Sequence, residues 1–135
     1  MRLPSLALAL SVAALFSACQ SNKIDNSVIV EPDVGVSYAA SVQPIFSSGC
    51  GGVGCHVGET TNGVNLSNHA QVMSSSGLQY GGSIVVVGDG ANSPLVDKIG
   101  PSPTHGSRMP LGLAALSASD VALIRTWIDE GATNN

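Results

Sequence analysis

The segment Cys50-Gly-Gly-Val-Gly-Cys55-His56 constrains this chain more than any other, because two thiols followed at once by an imidazole is how a polypeptide takes haem covalently. The sulfurs can add across the haem vinyl groups to make thioethers, and the adjoining imidazole then reaches the iron from one face. The usual spacing puts two residues between the cysteines, whereas this chain puts four. Three of those four are glycine, which enters left-handed backbone at little steric cost, so the extra length can loop outward while both sulfurs reach one porphyrin edge. The same glycines also allow a turn that closes a Cys50 to Cys55 disulfide. Zinc is a third possibility, bound by the cysteines with His56 and either His69 or His105. On this segment alone the three readings stay open.

At 135 residues the chain has room for one modest domain. Its amino-terminal stretch reads as something else. Arg2 supplies a positive charge, Leu6 to Phe16 is an apolar run broken only by Ser11, and Ser17-Ala18-Cys19 ends it with small residues. That is the pattern of a secretory signal over residues 1–18, too short for a membrane span. Leu15-Phe16-Ser17-Ala18-Cys19 resembles the cleavage region of bacterial lipoprotein signals, which implies that Cys19 is lipidated and becomes the new terminus. Lipid on Cys19 accounts for an odd count of three cysteines in an exported protein and leaves Cys50 and Cys55 as a pair. Residues 19–36 are polar and turn-rich with no sustained period, the composition of a tether, although Val28-Ile29-Val30 could pair as a short strand. The domain is expected over 37–135.

That domain is poor in large side chains. Aromatic residues make up only 4% of the chain, and Phe16 lies in the signal, so a buried cofactor would supply bulk that the core lacks. Of five basic side chains Arg2 is lost with the signal, against nine acidic ones. Such a balance offers nothing to nucleic acid, and no lysine-rich docking face is visible.

Within the domain, Tyr38, Val42, Ile45 and Phe46 fall at helical spacing behind Ser37, a suitable N-cap. Pro44 predicts either a helix starting near Ser41 with proline in its first turn, or an earlier start and a kink. A short helix is expected from about Asn68 to Met73, followed by a serine- and glycine-rich loop through Gly82. Ile84 to Val87 is β-prone but short. Ser93-Pro94 opens a helix through about Ile99, while Gly100 to Gly112, with three prolines and three glycines, must be irregular. The clearest helix is the last, with Ser117 to Asp120 as a capping-box variant, Val121, Leu123, Ile124, Trp127 and Ile128 as its apolar stripe, and Gly131 as its stop. Trp127 is expected in the core.

A low-spin haem takes a second axial ligand, and Met109 is the candidate. Pro110 disfavours helical backbone at Met109 and so carries the thioether on an extended loop. His105, His69 and Met73 are the competitors.

These pieces together resemble the single-haem c-type cytochrome domains of the bacterial cell envelope. The resemblance runs from Tyr38 to Ala132 through Val42-Gln-Pro-Ile-Phe46, Cys50 to His56, Gly63-Val-Asn-Leu66, Val87-Gly-Asp, Ser93-Pro-Leu95, Arg108-Met-Pro110, Leu116-Ser and Trp127-Ile-Asp-Glu-Gly-Ala132. It implies an all-α cytochrome c fold with the first and last helices packed together around one haem. Cys50 and Cys55 would be the thioether sites, His56 the proximal and Met109 the distal iron ligand. The function it implies is electron transfer to redox partner proteins, from a lipid-anchored position in the periplasm or cell envelope. A haem module of a larger oxidoreductase or a sensor is the alternative of like chemistry, and a haem-free lipoprotein with a disulfide or zinc site the alternative of another class. No catalytic triad, carboxylate pair or phosphate loop is legible elsewhere, which argues against an enzyme in its own right.

Overall fold

A computed structural model describes residues 35–135. The signal segment, Cys19 and all but the last two residues of the tether lie outside the described residues.

The domain opens on a helical segment at Tyr38–Val42 that runs directly into α1 at Gln43–Gly49. Ser37 caps it, its Oγ accepting from Ala40 N at 3.2 Å. The Gln43 N–H reaches back five residues to Tyr38 O, so this first turn is wound as a π-helix. Pro44 has no N–H to give, and the α register begins around it. The helical segment therefore starts before Ser41, and the α-helix that follows from Gln43 carries the proline in its first turn.

Helix α2, His69–Ser74, is capped by the Asn68 side chain, which accepts from Gln71 N at 3.0 Å. Helix α3, Pro94–Ile99, begins on proline as expected. Its Ser93 does not cap it through the side chain. The fully buried Ser93 hydroxyl instead accepts from Val86 N at 2.8 Å and donates to Asp89 O at 2.9 Å, tying the preceding turn. Helix α4, Ala118–Asp129, has Ser117 Oγ accepting from Asp120 N at 3.1 Å, while the Asp120 carboxylate accepts from the Ser117 hydroxyl at 2.7 Å. Its stripe is buried on one side through Ile124, Trp127 and Ile128.

The all-α expectation is overturned by an antiparallel pair, β1 at Ser76–Gly77 and β2 at Gly82–Ser83, with Ser76 opposite Ser83 and Gly77 opposite Gly82. This hairpin occupies the stretch that composition reads as loop. Strands of two residues are too short to show a period of two, and their pairing rests on backbone groups that small side chains leave accessible. Ile84 and Val85, from the β-prone run, are buried by packing beside β2 and not by extending it. Local β preference was satisfied by burial, the stronger effect here. Among the described residues the fold is thus mixed, four α-helices with a small sheet.

The core joins Tyr38, Val42 and Phe46 to Leu95 and Ile99 of α3 and to the buried face of α4. The Tyr38 and Trp127 rings lie 5.2 Å apart, so the first helical segment packs on the last. Trp127 is 1% exposed, and its Nε1 donates to Thr133 O at 2.9 Å. Among the described residues no helix is long and apolar enough to cross a membrane.

Candidate functional site

Helix α1 ends at Gly49 and delivers Cys50 to the inner side of the fold, where it is 8% exposed. The chain then makes an outward excursion and returns. His56 N donates to Cys50 O at 3.0 Å, which closes a loop containing Gly52 and Gly54, both at positive φ, and Val53, which is fully exposed. Thr61 Oγ1 braces the base of the loop by donating to Cys55 O at 2.6 Å. The extra residues in the motif are therefore spent on the outside, and Cys50 and His56 stay adjacent through their backbones.

His56 is oriented by its surroundings. Its Nδ1 lies 3.3 Å from Val64 O, and a carbonyl oxygen can only accept, so Nδ1 carries the hydrogen, which in the neutral ring leaves the lone pair on Nε2. Its own carbonyl accepts from Leu66 N at 2.6 Å. This is the tautomer that leaves the outer ring nitrogen able to bind a metal.

Cys50, His56 and Met109 line one cleft, whose cavity volume is about 90 Å³. The wall is almost wholly apolar, with Val64 and Leu66 after the cysteine loop, Gly77 and Leu78 from the hairpin, and Leu95 and Ile99 from α3. One end is polar, where Asn62, Gln79, Tyr80 and Lys98 reach the rim. A flat apolar group carrying iron fits this donor set: an imidazole and a thioether for the metal, a thiol on the wall, and an ammonium at the mouth.

The structure does not bring every candidate into the cleft. Cys55 is half-buried beside the loop and does not line it, its Sγ lying 3.9 Å from Val53 O. The two thiols are free and not joined to each other. Burial pushes the Cys50 thiol up to about 11, with repulsion from the nearby Cys55 as the lesser cause. His69 packs edge-on against Tyr38 at 4.9 Å and its Nε2 donates to Ala132 O at 2.7 Å, a packing role away from the cleft lining. His105 is exposed, edge-on to Tyr80 at 4.9 Å, and Met73 packs against the core without lining the cleft. Among the described residues no group of three His, Cys, Asp or Glu could hold a metal ion by itself.

A polar cluster at the rim carries no motif and was not anticipated from sequence. The Tyr80 hydroxyl donates to Asp97 Oδ2 at 2.5 Å, and Thr104 donates to the same carboxylate from N at 2.9 Å and from Oγ1 at 3.1 Å. These bonds, that from Tyr80 first, hold the Asp97 carboxyl below its ordinary range, while burial and then the bond to Asp97 raise Tyr80 to about 12. The hydrophobic wall was partly legible, since Leu95 and Ile99 stand four apart on a helix with a proline start. The rim residues are scattered from 62 to 104 and share no spacing.

The chain matches no protein-family model, no curated protein and no solved structure.

Proposed function

We propose that this chain binds one haem c covalently and passes single electrons to redox partner proteins in the cell envelope, held there by lipid on Cys19. The observation that carries the reading is that Cys50, His56 and Met109 share one apolar cleft, with His56 held in the tautomer whose Nε2 is free. In this reading Cys50 and Cys55 would carry the thioethers, and His56 and Met109 would hold the iron. The cofactor supplies a one-electron couple at its iron.

The chain's residues do the rest. Val64, fixing Nδ1 of His56, prevents the imidazole from turning and keeps the nitrogen lone pair available. Leu66, Ile84, Leu95 and Ile99, all nearly buried, keep water from the closed side of the cleft. Dry walls limit the solvent rearrangement that a change of charge would otherwise demand. Met109 offers a soft sulfur, which favours the reduced metal. Val53 and Leu78, exposed at 100% and 73%, stand on the loop and the hairpin that border the cleft. They form an uncharged approach for a partner.

The test is the mature protein made in a host with a haem-attachment system. The expected result is the mass of one haem added to polypeptide and lipid, with Soret absorption that survives acid and organic solvent. Met109→Ala should remove the sulfur-to-iron absorption band of the oxidised form. One equivalent of zinc without Soret absorption would refute the proposal, as would an unmodified mass.

A further inference from the structure

We propose that Asp97 and Lys98, adjoining residues near the end of α3, are the positioning residues that hold the Met109 loop over the cleft. The inference rests on Met109 as the distal ligand and adds how an irregular segment is kept in place to serve as one.

The segment from Gly100 to Gly112 needs such a device. Residues 101, 102 and 104–107 are exposed, and no strand or helix includes any part of it. Segments of this kind open locally at little cost in free energy, yet a distal ligand has to return to one place.

The helix grips the loop at three successive points. The Asp97 carboxylate accepts from Thr104 N and Thr104 Oγ1. Lys98 Nζ donates to His105 O at 2.5 Å, and Lys98 O accepts from Met109 N at 2.9 Å. The same two side chains also reach across to the hairpin. Asp97 takes the Tyr80 hydroxyl, and Lys98 Nζ donates to Gln79 Oε1 at 2.6 Å. The His105 ring closes the arrangement by packing edge-on against Tyr80.

Gln79, Tyr80, Lys98 and Met109 all line the cleft. One carboxylate and one ammonium therefore join the ligand loop to the facing hairpin at the cleft mouth. Bonds to charged groups are the stronger class and directional, which suits fixing a position more than adding bulk stability.

The experiment measures how readily exogenous imidazole displaces the distal ligand in the mature haem-loaded protein, at a temperature well below unfolding. Asp97→Ala is expected to tighten imidazole binding about tenfold, equal to about 1.4 kcal/mol, and to weaken the sulfur-to-iron band. Thr104→Val, which removes a loop partner and leaves the helix intact, should shift it in the same direction by less. Should Asp97→Ala fail to fold, Asp97→Asn and Thr104→Val carry the test.

A lowered melting temperature with unchanged imidazole affinity and an unchanged band would overturn the proposal, because an ordinary stabilising role predicts that result. If the wild-type protein has no sulfur band, or Met109→Ala changes nothing, the ligand assignment fails and the clamp fails with it. If Met109→Ala removes the band and the Asp97 and Thr104 variants are silent, the clamp alone is wrong.

Discussion

Replacing Gly63 with alanine tests how the chain turns from the cysteine loop toward the hairpin. Gly63 has φ +81, and a Cβ built on it would stand 2.0 Å from Ser76 O. Two separate costs follow. Left-handed backbone costs a residue with a Cβ about 1–2 kcal/mol. The clash adds a second, since Ser76 N donates to Gly63 O at 3.0 Å and Leu78 N to Asn62 O at 3.2 Å, and moving the chains apart weakens both bonds. At about 0.5–1.5 kcal/mol for each bond, the total is about 2–5 kcal/mol.

Gly81→Ala is the control. Its φ is +71, but nothing lies within 4 Å of an added Cβ, so only the left-handed cost of about 1–2 kcal/mol applies. Urea unfolding followed by circular dichroism gives both values, and the difference isolates the steric part. For a domain of this size the larger cost should lower the melting temperature by roughly 4–8 °C per kcal/mol. Because Asn62, Val64, Gly77 and Leu78 line the cleft, the proposed haem binding predicts that Gly63→Ala also reduces haem loading while Gly81→Ala does not. Equal destabilisation by the two substitutions would refute the close approach of these backbones.

Trp127→Ala removes the largest fully buried side chain and should cost about 3–5 kcal/mol in urea unfolding; a loss under about 1 kcal/mol would contradict its place between Tyr38 and the rest of α4. In the haem-free chain at mildly alkaline pH, iodoacetamide should modify Cys55 at least about tenfold faster than Cys50, whose thiol is buried and pushed up to about 11. Equal rates by peptide mass spectrometry would show that Cys50 does not face inward. The Asp97 carboxyl is held below its ordinary value in the fold, so its contribution to stability is present above the unfolded value of about 3.9 and lost as pH falls through the lower folded value. Asp97→Asn should flatten the acid limb of the stability curve, and an unchanged limb would deny the bonds from Tyr80 and Thr104.

Much of this molecule could be read without coordinates. The helices starting at Ser117 and near Asn68 follow from caps, and that starting at Pro94 from a proline at its first position; with apolar spacing, these signals act over a few residues and leave their mark in the local order of side chains. Cys50, His56 and Met109 stood out because their chemistry is rare, as did the burial of Trp127. The hairpin at 76–83 was missed for the opposite reason. It is built from backbone bonds between serine and glycine residues, whose side chains announce no face.

What the sequence by itself determined was therefore local: which segments were helical, and which residues were chemically unusual enough to be candidates for a site. Only the tertiary structure decided where those residues meet. It put Cys50 on the cleft wall and Cys55 beside it, turned His69 into a core contact with Tyr38 and Trp127, and gathered Tyr80, Asp97, Lys98 and Thr104 at one rim. Such meetings depend on how helices and loops distant along the chain pack together. No local spacing encodes them, because the free energy that selects them comes from burying the shared core.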